Sequence, residues 1–292
     1  MYTLSAIVQI LFWGLASGCI YVLLATGLNL IFGVMKLVNF AHGQLLMIGA
    51  YIGYATSVSF GLDAYVSVLV SLFCVALVGV GVERFAFRKV LGGDKLKEIF
   101  VSLGLIYIFV NVVVLLSGNG TKRIVSPFQN LAVSLGGGVS LSYDRIIVVG
   151  IVIAILATVA LLMKKTKIGL AMRATSQKSD TAKLMGININ KIYSFSFALG
   201  AALAGAAGVL YGIIFSFDPY FGALPTIKAF AIIILGGLGS IPGAIVGGLL
   251  YGVAEQSATF FLGGIWQDAV AFAALIIVLI IRPNGIFGQK GD

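Results

Sequence analysis

A single histidine, His42, follows Asn39 by three positions in the stretch Val34-Met35-Lys36-Leu37-Val38-Asn39-Phe40-Ala41-His42-Gly43. In an apolar setting an imidazole can relay a proton, line a path for a polar solute, or bond a backbone carbonyl where a helix begins. The Asn39 amide can cap a helix that starts near His42, its oxygen accepting a backbone N–H. For both residues the structural and the path-lining readings stay open. A second unusual stretch is Leu235-Gly236-Gly237-Leu238-Gly239-Ser240-Ile241-Pro242-Gly243. Glycine and proline interrupt a helix there, and inside a bilayer the freed backbone groups need protein or water as partners. Transporters place such interruptions along the substrate path, near the midplane. The candidate path residues are therefore Asn39, His42, Gly43, Gly236, Gly237, Gly239 and Ser240. Glu255 and Asp268 are the acids nearest the apolar interior and could carry protons. Both stand near the ends of apolar runs, which points to the membrane interface.

Other chemistry has no residues to perform it. No stretch fits the phosphate-cradling loop ending in Gly-Lys-Ser/Thr, and there is no His-Glu-x-x-His, Cys-x-x-Cys or nucleophile elbow. The chain is therefore not expected to be an enzyme or to hydrolyse ATP. If it drives transport, the energy comes from another subunit or from an ion gradient. Cys19 and Cys74 each lie inside an apolar run, and two cysteines alone make no metal site. No cofactor is expected on this chain.

The elements that must hold these residues follow from composition. Of 292 residues, 60% are hydrophobic and only 10% charged, with a mean hydropathy of +1.11. Soluble domains carry roughly 25% charged residues. Too few charges remain to cover a compact fold in water, so lipid must cover much of it. The first 35 residues carry no charge, and Ala64–Val82, Val101–Thr121, Ile146–Met163, Ile192–Phe217 and Ala229–Ala254 are further uncharged runs. A spanning helix needs about 20 mostly apolar residues. The N-terminus lacks the basic region of a signal peptide, and its apolar run is too long for one. Spans are expected near 5–25, 43–60, 64–82, 99–117, 146–163, 192–217, 228–256 and 266–281, with 26–42 and 228–256 fitting poorly as simple helices. The fold class is all-α: one polytopic transmembrane domain over 1–292, with about eight to ten membrane-embedded helices.

Charge sets the sidedness. The net charge of +9 is carried between spans, where the positive-inside rule explains it without a nucleic-acid partner. Glu83–Glu98 and Lys164–Lys191 are the basic loops and should face the cytoplasm. The Gly/Ser/Asn-rich loop Gly118–Arg145 fits the outer face, and the tail with Arg282 and Lys290 reads as cytoplasmic. That tail requires an odd number of crossings after Phe217, so one of the two remaining spans must be split, and Ala229–Ala254 with its glycines and Pro242 is the expected one. Paired interruptions in the two halves point to an internal repeat. The run Gly200, Gly205, Gly208, Gly212 reads as close helix packing rather than a site.

A short helix fits inside 166–190, with Ser179 as N-cap, Asp180 at the positive helix start and Gly186 as the C′ stop. Asp180-Thr181-Ala182, three further residues and Gly186 resemble the Glu-Ala-Ala-x-x-x-Gly motif of ATP-binding-cassette (ABC) importer permeases. Asp180 and Thr181 replace the first two residues, and the later Leu-Pro is missing. Gly27-Leu28-Asn29-Leu30-Ile31-Phe32-Gly33-Val34-Met35 with Val38-Asn39-Phe40-Ala41-His42-Gly43 resembles the LivH-type permeases of branched-chain amino acid ABC transporters. So do Gly169-x-x-x-Arg173-Ala174, Ala182-x-x-Met185-Gly186-Ile187-Asn188, Gly236–Gly243 with Gly247-Gly248, and Arg282-Pro283-Asn284-Gly285-Ile286-Phe287-Gly288. The resemblance runs from about Gln9 to Gly288.

It implies a type II-like importer in a bacterial inner membrane. A second, LivM-like permease, two ATP-binding subunits that hydrolyse the ATP, and a soluble binding protein delivering leucine, isoleucine or valine would complete it. The segment 164–191 would be the coupling loop, with Arg173, Asp180, Thr181, Ala182 and Gly186 facing the ATPase. Relatives importing urea or short amides share the pattern. An ion-coupled carrier or channel acting alone is the competing class, resting on Asn39, His42, Glu255 and Asp268. A receptor-like role lacks support, because the outer loops are too short for a binding domain.

Overall fold

The computed structural model describes residues 4–136, 139–282 and 285–287. Uncharged runs become helices because a chain in lipid must satisfy its backbone groups internally. In chain order these are α1 (Leu4–Met35), α2 (His42–Phe60), α3 (Val66–Phe85), α4 (Lys95–Ser117), α5 (Tyr143–Lys165), α6 (Lys167–Gln177), α7 (Ser179–Leu184), α8 (Ile189–Ile214), α9 (Ala223–Gly236), α10 (Ile241–Leu262) and α11 (Gln267–Ile281). Six of them, α1, α3, α4, α5, α8 and α10, are long and apolar enough to cross a membrane. The chain is a helical multi-pass membrane protein.

Two expectations need correction, and a third is met. Residues 26–35 continue α1 without a break, because nothing from Leu4 to Met35 is charged or is proline; only 36–41 is non-helical. Lys36 ends the helix at φ +54°, a left-handed turn that side chains other than glycine's adopt at a cost of about 1–2 kcal/mol. The stretch 228–256 splits as expected, between α9 and α10 at residues 237–240, within the Gly-Gly-Leu-Gly-Ser-Ile-Pro stretch. The loop after α4 is not free of strands: β1 (Ala132–Gly136) and β2 (Val139–Ser142) form an antiparallel hairpin, so the fold departs from all-α there.

The core sits around α1 and α8. Of their apolar windows, 61% and 78% lie inside the bundle, against 11% for α4 and 17% for α5, which lie at its outside. Small residues make the centre possible. Gly200 meets the backbone of Gly27 and the side chain of Ile31, Gly205 meets Val75, and Gly208 meets the backbone of Leu46 and Ala50. Without a hydrophobic force between helices in lipid, such close approach supplies the packing energy.

Both basic loops lie at one end of the bundle. Arg88 holds the buried Glu83 in a fork, Nε to Oε1 at 2.9 Å and Nη2 to Oε2 at 2.6 Å, and reaches Ser194 Oγ of α8 at 2.6 Å. Lys95 Nζ donates to the Lys36 carbonyl at 2.9 Å. The Gly118–Arg145 loop lies at the far end, where Lys122 and Phe217 exchange backbone hydrogen bonds. There Tyr65 donates to Asp144 Oδ1 at 2.7 Å.

Candidate translocation site

From Lys36, the non-helical segment climbs back into the bundle. His42 Nε2 lies 3.2 Å from the Leu24 carbonyl, eleven residues before the end of α1, or about 16 Å along its axis at 1.5 Å per residue. A carbonyl only accepts, so Nε2 carries the hydrogen and Nδ1, which has no partner, is the bare acceptor. Asn39 Oδ1 accepts from Ala41 N at 3.0 Å and so folds the entry into α2. The N-cap position itself is Ala41, so Asn39 stands two residues before it and is not a conventional cap. Gly43 donates its N–H to Thr226 Oγ1 of α9 at 3.0 Å, and the Gly222 carbonyl fills the space that a Gly43 side chain would need.

The second break ends α9 at Gly236 and begins α10 at Ile241. Gly237 and Gly239 take φ of +102° and +84°, the region that favours glycine. Ser240 Oγ accepts from Gly243 N at 3.1 Å as the α10 N-cap. Gly236 and Gly243 press backbone to backbone. Gly239 donates to Asn29 Oδ1 of α1 at 2.7 Å. The last carbonyls of α9 are satisfied by the chain end: Ile286 N reaches Leu235 O at 2.8 Å and Phe287 N reaches Gly236 O at 3.1 Å. Of the closing motif, Pro283, Asn284 and Gly288 lie outside the described residues, as does Lys290.

The seven candidate path residues are thus joined through α9. Its first turns hold Gly43 beside the first break. Its last residue is Gly236, with Gly237, Gly239 and Ser240 just beyond, against α1.

At the basic end, α6 and α7 carry the other candidates. Thr166 Oγ1 caps α6, accepting from Gly169 N at 3.0 Å. Ser179 is not an N-cap: Lys178 takes that position without a side-chain bond, and Ser179 is the first residue of α7. The sequence offered one helix here, whereas two are present. Gly186 does stop α7, at φ +83°. Its N–H reaches Lys183 O at 3.0 Å and Ile187 N reaches Ala182 O at 3.2 Å, the paired bonds of a Schellman motif. Ala182 is buried, while Arg173, Asp180, Thr181 and Gly186 are exposed. Leu184 and Met185, 87% and 80% exposed, form an apolar tip that motif reading passed over.

At the opposite end lies a cavity of about 730 Å³, lined from α1, α5, α8, α9, α10 and α11. Lys228 Nζ sits 2.6 Å from Glu255 Oε1 and 2.8 Å from Asp268 Oδ1, the latter an ion pair off the direction of a hydrogen bond. Tyr21 OH donates to Glu255 Oε1 at 3.2 Å, and Gln267 Nε2 also donates to it. Glu255 is therefore buried and paired, and Asp268, 39% exposed, keeps an open side. Lys228, Tyr21 and Gln267 had no signal in the sequence beyond a lone lysine at the edge of an apolar run.

A multi-pass bundle with two interrupted helices, a polar cavity at one end and exposed short helices at the other is the build of a membrane transport permease. The family model for the permease component of branched-chain amino acid transport systems matches residues 10–279, and the chain belongs to this family. The high-affinity branched-chain amino acid transport permease BraD of Pseudomonas aeruginosa is 35% identical over 288 residues, covering 94% of each chain. The corresponding LivH protein of Escherichia coli K12 is 34% identical, covering 96% of this chain and 95% of its own. A chain of the solved PsaBC–Fab complex from Streptococcus pneumoniae shares the fold at a TM-score of 0.53 and 16% identity, covering 94% of this chain and 92% of that one.

Proposed function

We propose that this chain is one of two permease subunits of an ABC importer that carries leucine, isoleucine and valine across a bacterial inner membrane. The observation that carries the reading is the near full-length likeness to relatives named for that transport. In this reading residues 1–292 form a single permease domain of eight to ten membrane-embedded helices with a cytoplasmic C-terminus. A LivM-like subunit is its partner. Two ATP-binding subunits dock on the basic end and hydrolyse ATP, and a soluble binding protein delivers substrate to the other end.

The segment 164–191 is the coupling loop. Its support is the exposed Leu184–Met185 tip, held by the Gly186 turn beside Arg173, Asp180 and Thr181. ATP closes the ATPase pair, α6 and α7 move with it, and the interrupted helices at Asn39–Gly43 and Gly236–Ser240 shift between two arrangements.

Replacing Gly186 with valine forces a β-branched residue to φ +83°, and replacing the buried Ala182 with tryptophan displaces α7. Each variant should stay in the membrane yet lose ATP-driven leucine uptake by at least about tenfold, equivalent to ~1.4 kcal/mol of coupling. Uptake at the unmodified rate in proteoliposomes would sink the coupling assignment. Stimulation of ATP hydrolysis by the binding protein, assayed with each amino acid in turn, tests the substrate.

A further inference from the structure

The cavity at the end opposite the coupling loop holds charges whose pairing is incomplete. Arg145, near the start of α5, stacks its guanidinium over Trp13 at 4.9 Å and Phe215 at 5.9 Å. Among the described residues no carboxylate lies within ion-pair distance of it, and Nη1 is buried without a hydrogen-bond partner. Across the same cavity Glu255, 4% exposed, spends Oε1 on Lys228, Tyr21 and Gln267 and leaves Oε2 without a partner. Ser17, 6% exposed, also lines the cavity with an unpartnered Oγ.

We propose that this cavity is a transit site for a free amino acid. Arg145 receives the α-carboxylate, and Glu255 Oε2 with Ser17 Oγ receives the α-ammonium.

The stacked guanidinium is fixed by its faces, which leaves its N–H edge free for the bidentate bond that carboxylates make best. An unpaired cation and a half-used carboxylate are costly at membrane depth. A zwitterion satisfies both at once, whereas a simple anion or cation satisfies one and meets repulsion from the other. A phospholipid phosphate at Arg145 would face Glu255, Asp268 and Asp218 in the same cavity, which disfavours it. Tyr211, Phe217, Phe221 and Leu224 supply an apolar wall for a hydrocarbon side chain, and the cavity is in the size range of small-molecule sites, about 300–1,000 Å³.

The inference rests on the importer reading, and its test keeps the two apart. The complete complex is reconstituted in proteoliposomes with the binding protein and leucine. If the unmodified complex imports no leucine, the importer reading fails. If it does, Arg145→Ala should lower uptake at saturating binding protein at least about tenfold, with assembled complex recovered in normal amount, and Arg145→Lys should restore part of it. In the purified complex without binding protein, tritiated leucine should bind saturably, lose that binding in Arg145→Ala, and resist competition by leucinamide and 4-methylpentanoate, which each lack one charge. Uptake by Arg145→Ala at the normal rate overturns the site. So does equal competition by 4-methylpentanoate, which would mean that the carboxylate alone is read. An Arg145→Ala defect seen only in vesicles containing anionic phospholipid would assign Arg145 to lipid and also overturn it.

Discussion

Lys228→Met is expected to cost about 3–5 kcal/mol of stability, the range for removing one partner of a buried ion pair. Lys228 and Glu255 side chains are 6% and 5% exposed, so removing the cation leaves a carboxylate with no water to solvate it. Tyr21 and Gln267 donate to Glu255 but carry no charge. The variant should melt well below the parent in detergent and yield less folded protein from membranes. Lys228→Met combined with Glu255→Met should recover most of the loss, because Asp268, 39% exposed, can be hydrated from the cavity. If the single variant melts with the parent, the pair does not hold α9 to α10.

Gly208→Val is expected to prevent folding of the central bundle. A Cβ at Gly208 collides with the Leu46 carbonyl oxygen and comes 2.7 Å from Ala50 N. Both are backbone atoms of α2, so no side-chain rotation relieves the overlap. Overpacking a core costs about 1–3 kcal/mol when side chains can shift; here two helix backbones must separate, and the loss should exceed that range. The measurement is the monodisperse fraction after extraction. Gly104→Ala and Gly150→Ala are the contrast. Both glycines face open space on the outer helices α4 and α5, and alanine there should be neutral or up to about 1 kcal/mol stabilising. Equal loss in all three variants would mean that the collision is not the cause.

How far the sequence could be read depended on whether a feature is local. The breaks near 34–43 and 236–243 were legible because glycine, proline and polar residues act on their own backbone. The C′ role of Gly186 was legible for the same reason. Ser179 failed as a cap because Thr166 and Lys178 divide the loop into two helices, a division that propensity leaves open. The glycine run of α8 was recognisable as packing, although its partners on α1, α2 and α3 were not.

Position along an apolar run said where Glu255 and Asp268 stand in their helices but not which groups they meet, because partners come from helices distant in the chain. Lys228 precedes Glu255 by a full helix break, and Arg145 read as one more loop cation. The sequence by itself determined the membrane class, the sites of interruption and the family resemblance, since hydropathy and backbone preference are properties of a few adjacent residues. Only the tertiary structure decided which charges meet: α9 and α10 fold back on each other and on α1. That brings Lys228 to Glu255 and Tyr21, and among the described residues leaves Arg145 stacked in the same cavity with no carboxylate in ion-pair distance. Pairing at 2.6 Å depends on distance in space, which separation along the chain does not encode.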